Sequence, residues 1–291
     1  MLGRVDTMRE IAEFRIVERH ASMLFADSEG KKLGDIARKV EINSTDPRFL
    51  RIGEMQARLR ADGDQSFFLG WDIHRKYTTA ELKSASLLHW QIWSVFEPAG
   101  EECGTLYDET TACPRCGSGA TQIGPLILNL KRIPKGRDFS RTIAGEIVVS
   151  KRAASLFVRN GLNGAKLTAI RDSQSPSIES KEWFQLQIKS TRARIIPPTR
   201  TGVDPFDDDE LGAYRCAVGD LVGLALLSEV TISRASRGKA DFLASQQFVG
   251  VRRGLLRPQR IMLVSPKVWE LISSKKLKGS KVEIARMRPE N

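Results

Sequence analysis

Four cysteines carry the densest chemical signal in this 291-residue chain. Cys113-Pro114-Arg115-Cys116-Gly117 is a C-x-x-C-G turn. Two thiolates at that spacing grip one metal ion, and the glycine lets the chain turn so that amides face the sulfurs. Cys103, ten residues upstream and also followed by glycine, fits a third ligand. Cys216 completes a four-cysteine tetrahedron if the two halves of the chain pack together. His89, Glu101 and Glu102 compete for that fourth position. A closed four-cysteine site is structural, because no coordination position stays open for water or substrate. The set predicts structural zinc on Cys103, Cys113, Cys116 and Cys216; a knuckle that has lost its metal is the plain alternative. A redox C-x-x-C opens a helix, and the Gly117-Ser118-Gly119 that follows this pair is no helix start.

Other reactive residue types form no pattern. His20, His74 and His89 lie far apart on apolar-periodic segments, and no H-E-x-x-H is written. Neither G-x-G-x-x-G nor G-x-x-x-x-G-K-[ST] occurs, and Ser150 and Ser265 lack the glycines of a nucleophile elbow. The acidic stretch 204–210 lacks the alternate spacing of a calcium loop and reads as solvated. These residues predict a protein that is not an enzyme. Arg252, Arg253, Arg257 and Arg260 line a loop whose rigid donor forks suit carboxylates or phosphates, and they are the candidate partner-binding residues.

Periodicity gives the helices and strands around the cysteines. Thr7-Met8-Arg9-Glu10 is a capping box, and Ile11, Phe14, Val17, Ala21 and Leu24 recur at helical spacing, so the sequence predicts a helix over 8–25. A shorter helix fits 48–60 and a strand fits 66–73. Thr78-Thr79-Ala80-Glu81 is a second capping box, predicting a helix that carries Leu82, Ala85, Leu88, Ile92 and Phe96 and stops at Pro98. Trp90 and Trp93 read as packing residues. Strands are predicted at 126–130, 147–149, 166–170 and 182–190, with a helix over 151–160 capped by Ser150.

An internal repeat organises the second half. At an offset of 115, seven of the 25 residues in 147–171 recur identically: Val149, Ser150, Leu156, Leu162, Gly164, Lys166 and Arg171. Asp138-Phe139 recurs as Asp241-Phe242 at an offset of 103. The difference places an insertion in the second copy, near the arginine loop. A duplicated strand–helix–strand unit follows, each copy covering the other's apolar face. The predicted fold is α+β: a helix-rich N-terminal region, then two duplicated strand–helix–strand units around a zinc knuckle. Residues 1–98 form the N-terminal region, 99–172 the knuckle and first repeat, and 173–291 the connecting strand, acidic loop and second repeat.

Lys and Arg total 46 and Asp and Glu 35, a net charge of +11. Residues 127–200 hold 15 basic and 5 acidic side chains, so most of the excess sits there. That field favours an acidic partner, protein or nucleic acid. No apolar run approaches the roughly 18 residues of a membrane helix, and the first residues lack the apolar core of a secretory signal. The reading is a cytoplasmic protein with no membrane contact.

The block from Cys103-Gly104 through Cys113-Pro114-Arg115-Cys116-Gly117, then Glu146-Ile147-Val148-Val149-Ser150, a short helix and Gly161-Leu162-Asn163-Gly164, resembles the bacterial double-CXXCG motif proteins. The resemblance covers roughly 99–286. One knuckle is intact; in the other, Gly100 stands where the first cysteine would be. The resemblance implies an immunity protein that binds and neutralises a cognate toxin, with complementary charge aiding the contact. The alternative reading is a zinc-containing nucleic-acid-binding protein.

Overall fold

The computed structural model describes residues 9–64, 66–208, 215–216, 220, 225–250 and 252–290. Thr7 of the first capping box, and Asp209 and Glu210 of the acidic stretch, lie outside them. Strands outweigh helices by 41% to 19%. The fold is therefore mostly β, and the helix-rich α+β reading of the N-terminal region is overturned. Contacts divide the chain into one unit of residues 1–79 with 204–208 and a second of 80–203 with 209–291.

The first unit starts with β1 (Arg9–Val17) where the helix over 8–25 was expected; only α1 (Glu18–Ala21) is helical. Two periods run through this segment and share Phe14. The helical one uses Ile11, Phe14 and Val17, whereas the alternating one puts Ala12, Phe14 and Ile16 in the core. The β-branched residues Ile11, Ile16 and Val17 favour the pleated surface. β2 (Lys31–Leu33), β3 (Ala37–Asn43) and β4 (Phe68–Lys76) complete a sheet ordered β2-β3-β1-β4, with β1 antiparallel to both neighbours. α2 (Arg48–Ala61), expected over 48–60, buries Ile52 and Leu59 in this unit's core.

The second capping box starts only the short α3 (Thr79–Ser84). Leu88 and Ile92, read with Phe96 as one helical face, instead lie on β5 (Leu88–Ile92) with Trp90 between them, and Phe96 lies on β6 (Val95–Phe96). The chain continues through β7 (Leu106–Asp108), β8 (Thr121–Ile123), β9 (Ile127–Leu128), β10 (Phe139–Thr142), β11 (Ile147–Ser150), α4 (Lys151–Arg159), β12 (Ala165–Asp172) and β13 (Ser175–Ile188). Short strands β14 (Thr201–Asp204), β15 (Asp207–Asp208), β16 (Ala225–Leu226) and β17 (Thr231–Ser233) lead to β18 (Phe242–Val249), β19 (Gln259–Val264), α5 (Pro266–Ser274), β20 (Ser280–Ile284) and β21 (Arg286–Arg288).

The two sequence repeats adopt the same arrangement. One sheet contains β10-β11-β13-β12 and the other is β18-β19-β5-β20. In each, an antiparallel strand lies between the two strands that the helix joins. β13 fills that place from just after its repeat, whereas β5 fills it from about 170 residues before β19. Both helices end alike: the Leu162 amide donates to the Phe157 carbonyl and the Leu277 amide to that of Ile272. This left-handed C-cap puts Gly161 at φ 59° and Lys276 at φ 52°, the one described non-glycine residue in that region.

Two matched aspartates lock the copies together. The Asp138 carboxylate accepts from the Ser150 hydroxyl at 2.9 Å and from the Lys278 amide at 2.9 Å. The Asp241 carboxylate accepts from the Ser265 hydroxyl at 2.8 Å and from the Asn163 amide at 3.1 Å. Asn163 and Lys278 are themselves matched at the 115-residue offset, so each copy's aspartate holds the other copy's loop. Gly164 and Gly279 sit beside these contacts; a Cβ on either would collide with the carbonyl oxygen of Phe242 or Phe139. The Ser150 hydroxyl also accepts from the Ala153 amide as a helix cap, whereas Ser265 makes no side-chain cap. Between the copies Trp90 is fully buried, edge-on to Phe139 at 5.2 Å and 6.0 Å from Phe242. Trp93 is half exposed beneath the Arg137 guanidinium.

Asp138→Ala and Asp241→Ala should each lose roughly 1–3 kcal/mol in urea titrations, since each strips two charge-assisted bonds, one of which joins the copies. Wild-type midpoints for both variants would show that the aspartates do not hold the copies. Lys276→Gly should gain roughly 0.5–1 kcal/mol by relieving a left-handed backbone.

Candidate metal centre

The sulfurs of Cys113, Cys116 and Cys216 lie within 4.8 Å of one another and could bind a metal ion. The C-x-x-C-G turn builds the first two positions. The Cys113 amide donates to the Ser118 carbonyl at 2.7 Å, and the Gly117 amide returns to the Cys113 carbonyl at 2.7 Å. Gly117 takes φ 76°, which the turn requires and L side chains resist. Backbone amides then face sulfur: those of Cys116 and Arg115 hold the Cys113 thiol below its ordinary value. The Ser118 amide donates to Cys116 Sγ at 3.4 Å.

Cys216 arrives from a segment one hundred residues later, 4.0 Å from Cys116 Sγ. That is too far for a disulfide, whose sulfurs sit about 2.05 Å apart. The Arg115 guanidinium donates to the Arg215 carbonyl at 2.6 Å and the Arg252 amide to the Cys116 carbonyl at 2.9 Å, pinning this segment and the arginine loop to the turn. Burial pushes the Cys116 thiol up to about 11, against weaker opposing bonds from Ser118. A cation at the cluster supplies the charge that this burial withholds.

Cys103 does not join the cluster. It closes a 3-10 turn over Glu101–Cys103, where Gly104 takes φ 100°. The glycine after Cys103 thus serves a turn and not a metal knuckle. Burial raises the Cys103 thiol, while hydrogen bonding to the Asn129 backbone and the Ser173 side chain works the other way. The competing ligands lie elsewhere as well: Glu102 accepts from the Ala99 amide at 2.8 Å, and His89 is on β5. Sequence reasoning missed Asp220. Its Oδ2 is 3.7 Å from Cys116 Sγ and 2.5 Å from the Ser118 hydroxyl. The available signal was an aspartate four residues past Cys216.

Three of the four arginines expected to meet a partner are engaged within the chain. Arg257 pairs with Glu101 at 2.7 Å and Glu109 at 3.0 Å, and its guanidinium lies 3.9 Å from the Tyr107 ring centre. Arg252 pairs with the same two glutamates. Arg260 donates to the Ser245 carbonyl at 2.7 Å and covers the Phe248 ring, while burial pushes its guanidinium down. Arg253 is exposed. The histidines, read as no site, pair locally: His20 lies 3.9 Å from Asp64 and His74 lies 3.5 Å from Glu13; Asp204, read as part of a solvated loop, is instead buried and meets Arg60 at 3.5 Å. Among the described residues, no helix is long and apolar enough to cross a membrane.

Cys113→Ser and Cys216→Ser should abolish metal binding in elemental analysis, whereas Cys103→Ser should leave the content unchanged. Loss of metal from the Cys103 variant would return that residue to the site. Beside the turn, Tyr107 donates to Glu146 at 2.7 Å. Burial lifts the Glu146 carboxyl above its ordinary 4.5. The folded form therefore holds that proton more tightly than the unfolded one, so this contribution is full at pH below about 4.5 and is lost as pH rises through the raised value. Glu146→Gln should flatten that part of the stability–pH curve in denaturant titrations.

No protein-family model matches the chain, and no curated protein matches it significantly.

Proposed function

We propose that the chain is a non-catalytic binding protein stapled by a structural zinc ion, and that it acts by occluding a toxin as an immunity protein does. The observation that carries the zinc reading is the convergence of Cys113, Cys116 and Cys216 from two distant segments. Thiolate-rich, tetrahedral coordination suits zinc, which is redox-inert and takes no part in electron transfer. Cys116 and Cys216 are buried, as a structural site requires.

The toxin reading leans on the resemblance of 99–286 to the double-CXXCG proteins and on the basic stretch 127–200. Lys131, Arg132 and Lys135 are exposed there and suit an acidic protein surface. The same charge supports the second reading, a zinc-containing nucleic-acid binder.

Elemental analysis of purified protein should find about one zinc per chain, and none would end the zinc reading. Pull-down with the products of genes adjacent to its own should capture one toxin, and coexpression should restore growth to cells making it. Failure of both sinks the immunity role. If DNA or RNA binds instead, affinity should fall steeply with salt as bound Lys and Arg release counterions.

A further inference from the structure

The geometry points to Asp220 as the fourth metal ligand, giving a three-thiolate, one-carboxylate site; the inference rests on the metal reading above. A tetrahedral zinc with Zn–S near 2.3 Å and Zn–O near 2.0–2.2 Å has S···S edges of about 3.8 Å and S···O edges of about 3.6 Å. Cys116 Sγ stands 4.0 Å from Cys216 Sγ and 3.7 Å from Asp220 Oδ2. Both spacings match edges of one tetrahedron; among the described residues only the three sulfurs all lie within 4.8 Å of one another, so Asp220 Oδ2 must move closer to the sulfur cluster as the ion binds.

The carboxylate is also held as ligating carboxylates are. Its Oδ1 accepts from the Phe248 amide at 2.8 Å, which leaves Oδ2 turned toward Cys116. The Ser118 hydroxyl lies 2.5 Å from Oδ2 and 3.1 Å from Cys116 Sγ, placing a neutral donor beside both groups. The Cys216 amide donates to the Asp220 carbonyl at 3.2 Å, which ties the two residues together. Asp220 is only 4% exposed. Among the described residues, its side-chain hydrogen bonds come from the Phe248 amide, the Ser118 hydroxyl and the Cys116 thiol, while Arg260 acts on it through charge. Burying a carboxylate is costly unless it is paired or bound to a metal.

X-ray absorption of the zinc-loaded protein should give three sulfurs and one light atom in the first shell. Four sulfurs would overturn the assignment and restore Cys103. Cobalt(II) then reports thiolate number through its charge-transfer band. Asp220→Asn keeps an oxygen for the Phe248 amide and so preserves the fold; it should hold three thiolates but weaken zinc affinity at least tenfold, as losing a tuned ligand does. Asp220→Cys should raise the charge-transfer intensity by about a third. Wild-type affinity and spectrum in Asp220→Asn would overturn the inference and leave the three-cysteine site standing. No metal uptake by the wild type would instead remove the metal reading itself.

Discussion

Asp138 and Asp241 make the second unit one body by each holding a loop of the other repeat. A single strand–helix–strand piece exposes an apolar face it cannot cover alone. The exchange of loops fixes where the second copy must sit, because each aspartate accepts at once from its own serine and from the partner loop's amide. The close approach then forbids side chains at Gly164 and Gly279, and those glycines recur at the repeat offset. Trp90 belongs to this constraint too. It comes from β5, a strand outside both sequence repeats, and fills the space between Phe139 and Phe242.

This exchange explains which parts of the fold were legible. Matching residues 115 apart exposed the duplication, since both copies keep a serine at the helix N-terminus bonded to its aspartate, the same left-handed exit and the same crowded glycine. β5 was not legible as the middle strand of the second copy. It lies far upstream, and Leu88 and Ile92 also satisfy helical spacing, so local periodicity could not distinguish the two. The same ambiguity misled at β1, where Phe14 serves both periods. There the tertiary context decides: Ala12, Phe14 and Ile16 all reach the core of the first unit only on a strand.

The cysteine site was legible to the extent that it is local or forced. The C-x-x-C-G turn reads directly from sequence, and Cys216 followed from the idea that the halves pack together. Cys103-Gly104 misled because glycine after cysteine also marks the left-handed end of a 3-10 turn, which is what it forms. The arginine loop shows a similar limit. Arg252 and Arg257 were read as outward-facing, yet Glu101 and Glu109, about 150 residues earlier, neutralise them. Sequence gives the charge of a loop but not the acid that folding brings to it. Individually such exposed pairs contribute about 0–1 kcal/mol, so their effect is mainly to fix the loop beside the turn.

Magnitudes decide what a metal would mean here. Among the described residues, Arg215 and Asp220 accept hydrogen bonds from the rest of the unit: Arg115 to the Arg215 carbonyl, and the Phe248 amide and Ser118 to Asp220. Each is worth on the order of 0.5–3 kcal/mol net, the upper end for charged groups. A structural zinc ion in a small metal-folded site supplies about 10–16 kcal/mol of apparent binding energy at neutral pH. That exceeds each of these bonds several-fold, even after the cost of deprotonating Cys116, whose thiol burial pushes up to about 11. On the zinc reading, the metal is therefore the strongest tie on Cys216, and the neighbouring hydrogen bonds act by orienting its ligands.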